Sequence, residues 1–220
     1  NQVVNDHAVP FNMANISPPQ TRSFLLAAHR GKHSAPGPDG ISFAGWAATG
    51  IHGAQTLAGV NAAMTNGIRP PLDFNESLGV FPPKGCEAQD STIVIRNPED
   101  VRPLNLKNCD NEIIASTNNY SMKRPLAENS SVLQRGFIPG RQLTQNVVDI
   151  DSASRVINLS APPSHLACVL LWDFCAAFPS LAQQWLFLVL QVMGLPLVFI
   201  EMMEAMYLLN SVISHSGIFL

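Results

Sequence analysis

The sequence predicts a helix-rich domain of the α/β (α+β) class with a small antiparallel sheet, and three observations carry that prediction. Apolar residues fill 46% of the 220 positions, which is ample for a core and far above what a disordered chain holds. Stretches with apolar residues at helical spacing alternate with short continuous apolar runs. Gly and Pro punctuate the boundaries between most of these stretches, and neither internal repeats nor low-complexity tracts interrupt them.

The elements follow in order. Residues 1–16 carry little pattern and read as a leader. "SPPQTRSFLLAAHRGK" predicts a helix capped by Ser17, with Pro18 and Pro19 in its first turn and Gly31 at its end. "HSAPGPDGISFAGW" predicts a rigid turn feeding a helix near Ser42. "GAQTLAGVNAAMTNG" reads as a helix stopping at Gly67, and "IRPPLDFNES" as a loop. "LGVFPPKG" and "STIVIRNPEDVRPLNL" read as two strands of a hairpin. "CDNEIIASTNNYSMKRPLAENSSVL" predicts a helix interrupted at Pro125. "QRGFIPGRQ" is a turn, and "QLTQNVVDIDSASRVINL" is helical. "LACVLLWD" predicts a strand ending at Asp173. "SLAQQWLFLVLQVMG" and "LPLVFIEMMEAMYLLN" predict two helices parted by Gly194 and Pro196, and "SVISHSGIFL" begins a final strand.

Charge and special residues narrow the function classes. The formal net charge of −3 argues against a protein that simply coats nucleic acid. Every Lys and Arg lies between Arg22 and Arg155, and acidic residues balance basic ones from Lys84 to Arg155. A local basic groove is compatible with that distribution. Cys86, Cys109, Cys168 and Cys175 show no C-x-x-C spacing, so reduced thiols are expected. His29 and His33 lack a carboxylate at useful spacing, which argues against a metal site there. Leu186 to Ile200 is apolar but shorter than the ~20 residues a membrane span requires. Gly194 and Pro196 break it, so packed helices are expected and no membrane partner. No basic segment precedes an apolar one near Asn1, so a secretory signal is not expected. The pattern still running at "SHSGIFL" suggests a piece of a longer polypeptide.

One oddity remains. The apolar run Cys168–Trp172 leads into a single carboxylate, Asp173. A strand-end turn, where aspartate is common, is the ordinary account of such a residue on this stretch alone; a metal ligand on a rigid mount is the sharper one. Four blocks bear on the choice: "SAPGPDGI" (34–41), "VFPPKG…VRPLNL" (80–106), "QRGFIPGRQLTQN" (134–146) and "LLWDFCAAFPSL" (170–181). Their order and spacing resemble the reverse transcriptase domain of non-LTR, LINE-like retrotransposons over residues 18–220. The resemblance implies the fingers and first part of the palm of a right-hand polymerase. Residues 17–160 would be fingers-like, and residues 161–220 a partial palm.

That resemblance implies a chemistry. Nucleotide addition is an in-line phosphoryl transfer in which two Mg²⁺ ions about 3.5–4 Å apart stabilise attacking and leaving oxygens. Mg²⁺ prefers hard oxygen ligands on firmly held backbone. Asp173 is implied as the catalytic, metal-binding carboxylate. Phe178 is implied to lie beneath the incoming sugar, disfavouring a 2′-hydroxyl; a core plug is the other reading. Lys84 and Arg102 would bind the triphosphate, Arg through a bidentate fork and Lys as a point charge. Gln134, Gly136, Phe137 and Arg141 would lie near the template, where glycine permits close approach and an aromatic can stack on a base. Gly140 matches that block as well. Asp39 is expected to cap a turn rather than catalyse.

Two departures stand out. Pro179 replaces the aspartate common in the family, and the G-x-x-Q-G and A-D-D blocks that complete the carboxylate set do not occur. The implied partners are an RNA template, a DNA primer and dNTPs, in an intracellular ribonucleoprotein of nucleus or cytoplasm rather than a secreted one. The isolated chain is expected not to polymerise. A non-catalytic remnant of a decayed retroelement, at most binding nucleic acid, is the alternative.

Overall fold

The computed structural model describes residues 2–7, 16–31, 34–160, 162, 168–173, 180–208 and 210–214. Among them run α1 (Gln2–His7), α2 (Thr21–Arg30), α3 (Phe43–Ala48), α4 (Gly50–Thr65), β1 (Glu76–Val80), β2 (Leu104–Lys107), α5 (Cys109–Asn129), α6 (Thr144–Ser160), α7 (Gln183–Val192), α8 (Leu197–Tyr207) and β3 (Ser211–Ser214). The fold is helix-rich and mixed α/β, as the sequence predicts. It forms two compact units. The larger comprises Ser17–Ser121 with Pro196–Leu220; the other comprises Asn1–Ile16 with Met122–Leu195.

In the larger unit, α2 starts at Thr21, not in the prolines. Pro19 keeps Pro18 out of the helical region, so Ser17 is not the cap. Phe24, Ala27 and Ala28 bury one face. Ser42 does cap α3, its Oγ accepting the Gly45 N–H at 3.2 Å. Ala54, Leu57, Asn61 and Met64 line the buried stripe of α4 at helical spacing. Helix α4 packs on α2, α3 and α8, and Phe199, Ile200, Met202 and Ala205 of α8 are buried.

The sheet has three strands in the order β2-β1-β3. Strands β1 and β2 are antiparallel, with Leu78 opposite Leu106 and Val80 opposite Leu104. The hairpin in the sequence is therefore real, but its second strand is Leu104–Lys107; Ile93 and Ile95 lie exposed in irregular chain. Strand β3 joins β1 in parallel, Ser77 opposite Val212, so the sheet is mixed rather than wholly antiparallel. Only a chain that leaves the sheet and returns can add a strand in that sense.

A seam of buried asparagines ties this unit together. Asn75 Nδ2 donates to the carbonyls of Ala205 (2.8 Å) and Leu208 (2.7 Å). Asn111 Nδ2 donates to Phe74 O and Asn75 Oδ1, and Asn118 Nδ2 donates to Asn61 Oδ1 at 2.6 Å. Asparagine can satisfy carbonyls and amides at once without adding a charge to the core.

Helix α5 continues through Pro125, contrary to the predicted interruption. The ring removes one backbone donor, and side chains hold the turns beyond it. Asn129 Nδ2 donates to Pro125 O at 2.8 Å, Ser130 Oγ donates to Leu126 O, and Arg124 pairs with Glu128. In the second unit α1 packs on α7, and α6 is joined to α5 by a loop described below.

One expectation fails outright. Residues 168–173 form no strand, and Leu171 and Trp172 are more than four-fifths exposed. An apolar run becomes a strand only beside a partner that satisfies its backbone N–H and C=O groups. Among the described residues no strand lies next to it.

Candidate nucleotide and nucleic-acid interface

Beyond β1 the hairpin continues through an antiparallel bridge between Pro83 and Val101. The Lys84 N–H donates to Asp100 O at 2.8 Å, and the Arg102 N–H donates to Pro82 O at 2.9 Å. Side chains alternate along a strand, so Lys84 and Arg102 share the face opposite Pro83 and Val101. Both are exposed. Lys84 Nζ donates to Glu99 O at 2.6 Å. The Arg102 guanidinium has no ion pair among the described residues. The two cations that the sequence singled out are thus brought together.

The arm between them is pinned by Arg96, which sequence reasoning missed. Its side chain is only 4% exposed. It bonds Asp90 Oδ2 at 2.7 Å, Glu87 Oε1 at 3.3 Å and Ile95 O at 2.9 Å. Glu87 and Asp90, three apart upstream of an arginine, were the available signal. Beside Arg96 lies a cleft of about 460 Å³ lined by Phe81, Val94, Ile95, Pro98 and Val101.

The Arg96 hydrogen bond, helped by the Glu87 N–H, holds Asp90 below its ordinary value of 3.8. A depressed folded value means stabilisation that is present above the ordinary value and lost as pH falls through the folded one. Acidification below about pH 4 is therefore expected to lower the amide-exchange protection factors of residues 87–96, taken relative to the intrinsic rate at each pH, while α2 and α4 keep theirs. An equal loss of protection in all three segments would refute this latch.

The loop 131–143 carries Gln134, Gly136, Phe137 and Arg141 and gives them unequal parts. Arg141 donates to the carbonyls of Ala127 (2.9 Å), Ser130 (3.1 Å), Gln134 (2.8 Å) and Ser131. It is a staple for the C-terminus of α5. Gln134 Nε2 bonds Gly136 O at 3.0 Å. Arg135 pairs with Asp149 at 2.5 Å and with Asn146 Oδ1 at 2.8 Å, fastening the loop to α6. Bonds from Gln145 and then Arg135 hold Asp149 below its ordinary value. Phe137 is left fully exposed at φ 62°, a conformation uncommon for a bulky residue.

The "SAPGPDG" turn has a structural explanation. A Cβ on Gly37 would lie 2.4 Å from the Asn108 nitrogen, so only glycine lets the turn close on the end of β2. Asp39 Oδ1 accepts the Ile41 N–H at 2.9 Å. Its carboxylate thus shapes the turn, while Ser42 caps the helix.

Asp173 is exposed on irregular chain, and Phe178 lies outside the described residues. Among the described residues no three His, Cys, Asp or Glu side chains are grouped to hold a metal. Burial pushes the Cys109 thiol up to about 11, so it is not a nucleophile at neutral pH. No described helix is long and apolar enough to cross a membrane. No protein-family model matches this chain, and no curated protein matches it.

Proposed function

We propose that this chain is the nucleotide- and template-handling part of an RNA-directed DNA polymerase of the non-LTR retroelement type. One observation carries the reading: Lys84 and Arg102 stand exposed on one face of a hairpin, and Arg102 lacks a counter-ion among the described residues. An arginine fork can take two phosphate oxygens at once, while the lysine supplies a point charge beside it. Phe137, presented by a loop whose polar groups are internally bonded, suits stacking on a template base. In the complete polymerase Mg²⁺ would supply charge neutralisation at the phosphates, with Asp173 as one ligand and Phe178 at the sugar. This chain's own part is to bind and orient an RNA template, a DNA primer and dNTPs.

A second reading is favoured by the exposed segment 168–173, which pairs with no strand among the described residues. On that reading the chain is a non-catalytic remnant that binds nucleic acid alone. Titration of the chain with a dNTP separates the two. Under the polymerase reading, Arg102→Ala weakens triphosphate binding about tenfold or more, and Arg102→Lys recovers only part of it. Lys84→Ala has a smaller effect, because its Nζ already donates to Glu99 O. Binding of oligonucleotide with no measurable triphosphate affinity selects the remnant.

A further inference from the structure

Helices α2 and α5 of the larger unit flank a small cleft of about 80 Å³, lined by Ser23, Leu26, Arg30, Ser116, Thr117 and Tyr120. Among the described residues no carboxylate lines it. The Arg30 guanidinium lies over the Tyr120 ring at 5.3 Å from its centroid. A cation–π contact of this kind uses no N–H donor in a conventional hydrogen bond. No ion pair or hydrogen bond to the Arg30 side chain exists among the described residues. Thr117 Oγ1 donates to Ile113 O at 2.7 Å and keeps its acceptor lone pairs. The Ser23 and Ser116 hydroxyls have no hydrogen-bond partner among the described residues. An uncompensated cation, two available hydroxyls and an exposed aromatic plane form one small site.

We infer that this cleft is a phosphate subsite for a single-stranded nucleic acid. One phosphate sits on the Arg30 edge with the Ser23 and Ser116 hydroxyls, and the adjoining base lies against the Arg30–Tyr120 stack. The chemistry fits an oxyanion that accepts several donors at once, attached to a flat ring. A carboxylate ligand would satisfy the donors but leave the plane unused. The choice of a nucleic-acid strand rests on the proposed function, whereas the phosphate chemistry rests on the cleft itself.

The test uses the full chain. Adenosine monophosphate, inorganic phosphate and adenosine are titrated in turn while the Arg30 Nε–H and Tyr120 ring resonances are followed. The monophosphate should shift both, inorganic phosphate should shift Arg30, and adenosine alone should shift neither strongly. Arg30→Gln should abolish the phosphate response. It should also weaken binding of a single-stranded oligouridylate of about 12 nucleotides roughly tenfold, with a log–log salt slope shallower by about 0.7. Tyr120→Leu should weaken binding and leave the slope unchanged. If Arg30→Gln lowers the melting temperature, Arg30→Lys decides: it should keep the slope and lose the monophosphate shift at Tyr120. The subsite is overturned if the monophosphate leaves Arg30 unshifted, or if Arg30→Gln changes neither affinity nor slope. An intact Arg30 response with no triphosphate binding at Arg102 would remove the polymerase reading and keep the subsite; the reverse pattern would do the opposite.

Discussion

Asn75→Ala is expected to destabilise the larger unit by roughly 3–4 kcal/mol, the largest effect of any single truncation considered. Asn75 is 2% exposed, and its amide is the partner of the Ala205 and Leu208 carbonyls at the C-terminal end of α8. Its Oδ1 accepts from Asn111. Truncation takes this donor from the Ala205 and Leu208 carbonyls and leaves the Asn111 amide with Phe74 O alone, and each unsatisfied buried group costs about 1–3 kcal/mol. Apolar contacts are barely changed, so the loss is one of hydrogen bonding. Asn75→Asp is a sharper probe, because it keeps the size and one acceptor but loses both donors and adds a buried charge. It should be at least as damaging as alanine. Chemical denaturation of the three proteins gives the comparison; a loss under 1 kcal/mol for alanine would show that water replaces the amide.

Arg141→Ala should loosen the loop 131–143 without unfolding α2 or α4, which lie in the other unit. Four carbonyls of α5 and the loop lose a charged donor. Hydrogen bonds to charged groups are worth about 1.5–3 kcal/mol each, but these carbonyls are partly solvated, so about 2–3 kcal/mol of local stability is expected to go. Amide exchange between residues 127 and 143 should accelerate by about two orders of magnitude, with the Asn75 seam unaffected. Arg141→Lys should restore less than half of the protection, because an ammonium cannot reach both sides of the fork. Phe137 stands in the same loop, so oligonucleotide affinity should fall in Arg141→Ala although the arginine touches no nucleic acid on this account. Unchanged exchange would remove the staple, and Arg141 would revert to a direct contact.

Local chemistry in the sequence located most elements. Ser42 capping α3, Gly67 ending α4 and the break at Gly194 and Pro196 between α7 and α8 are short-range events, decided within a few residues. The hairpin that carries Lys84 and Arg102 was readable for the same reason. Pro125 was misread because a proline's cost is local, whereas the bonds that carry the helix past it come from Asn129, Ser130 and, through the loop, Arg141. The Arg96 latch and the Arg30–Tyr120 stack left little trace, since side chains from separated segments meet there. The sequence placed Gln134, Gly136, Phe137 and Arg141 in one turn, yet only geometry distinguished Arg141 as an internal staple from Phe137 as the exposed tip.

By itself, then, the sequence determined the helix-rich α/β class, the Ser42 cap, the breaks at Gly67 and at Gly194 and Pro196, the β1–β2 hairpin and the two cations upon it, because each depends on backbone preferences and on alternation over a few residues. Tertiary structure alone decided that β3 joins β1 in parallel, that buried asparagines tie residue 75 to α8, and that Cys168–Trp172, strand-like in composition, forms no strand. Those outcomes depend on which backbone groups find partners far along the chain. An apolar run carries the propensity for a strand, but only a neighbouring strand can accept and donate its hydrogen bonds.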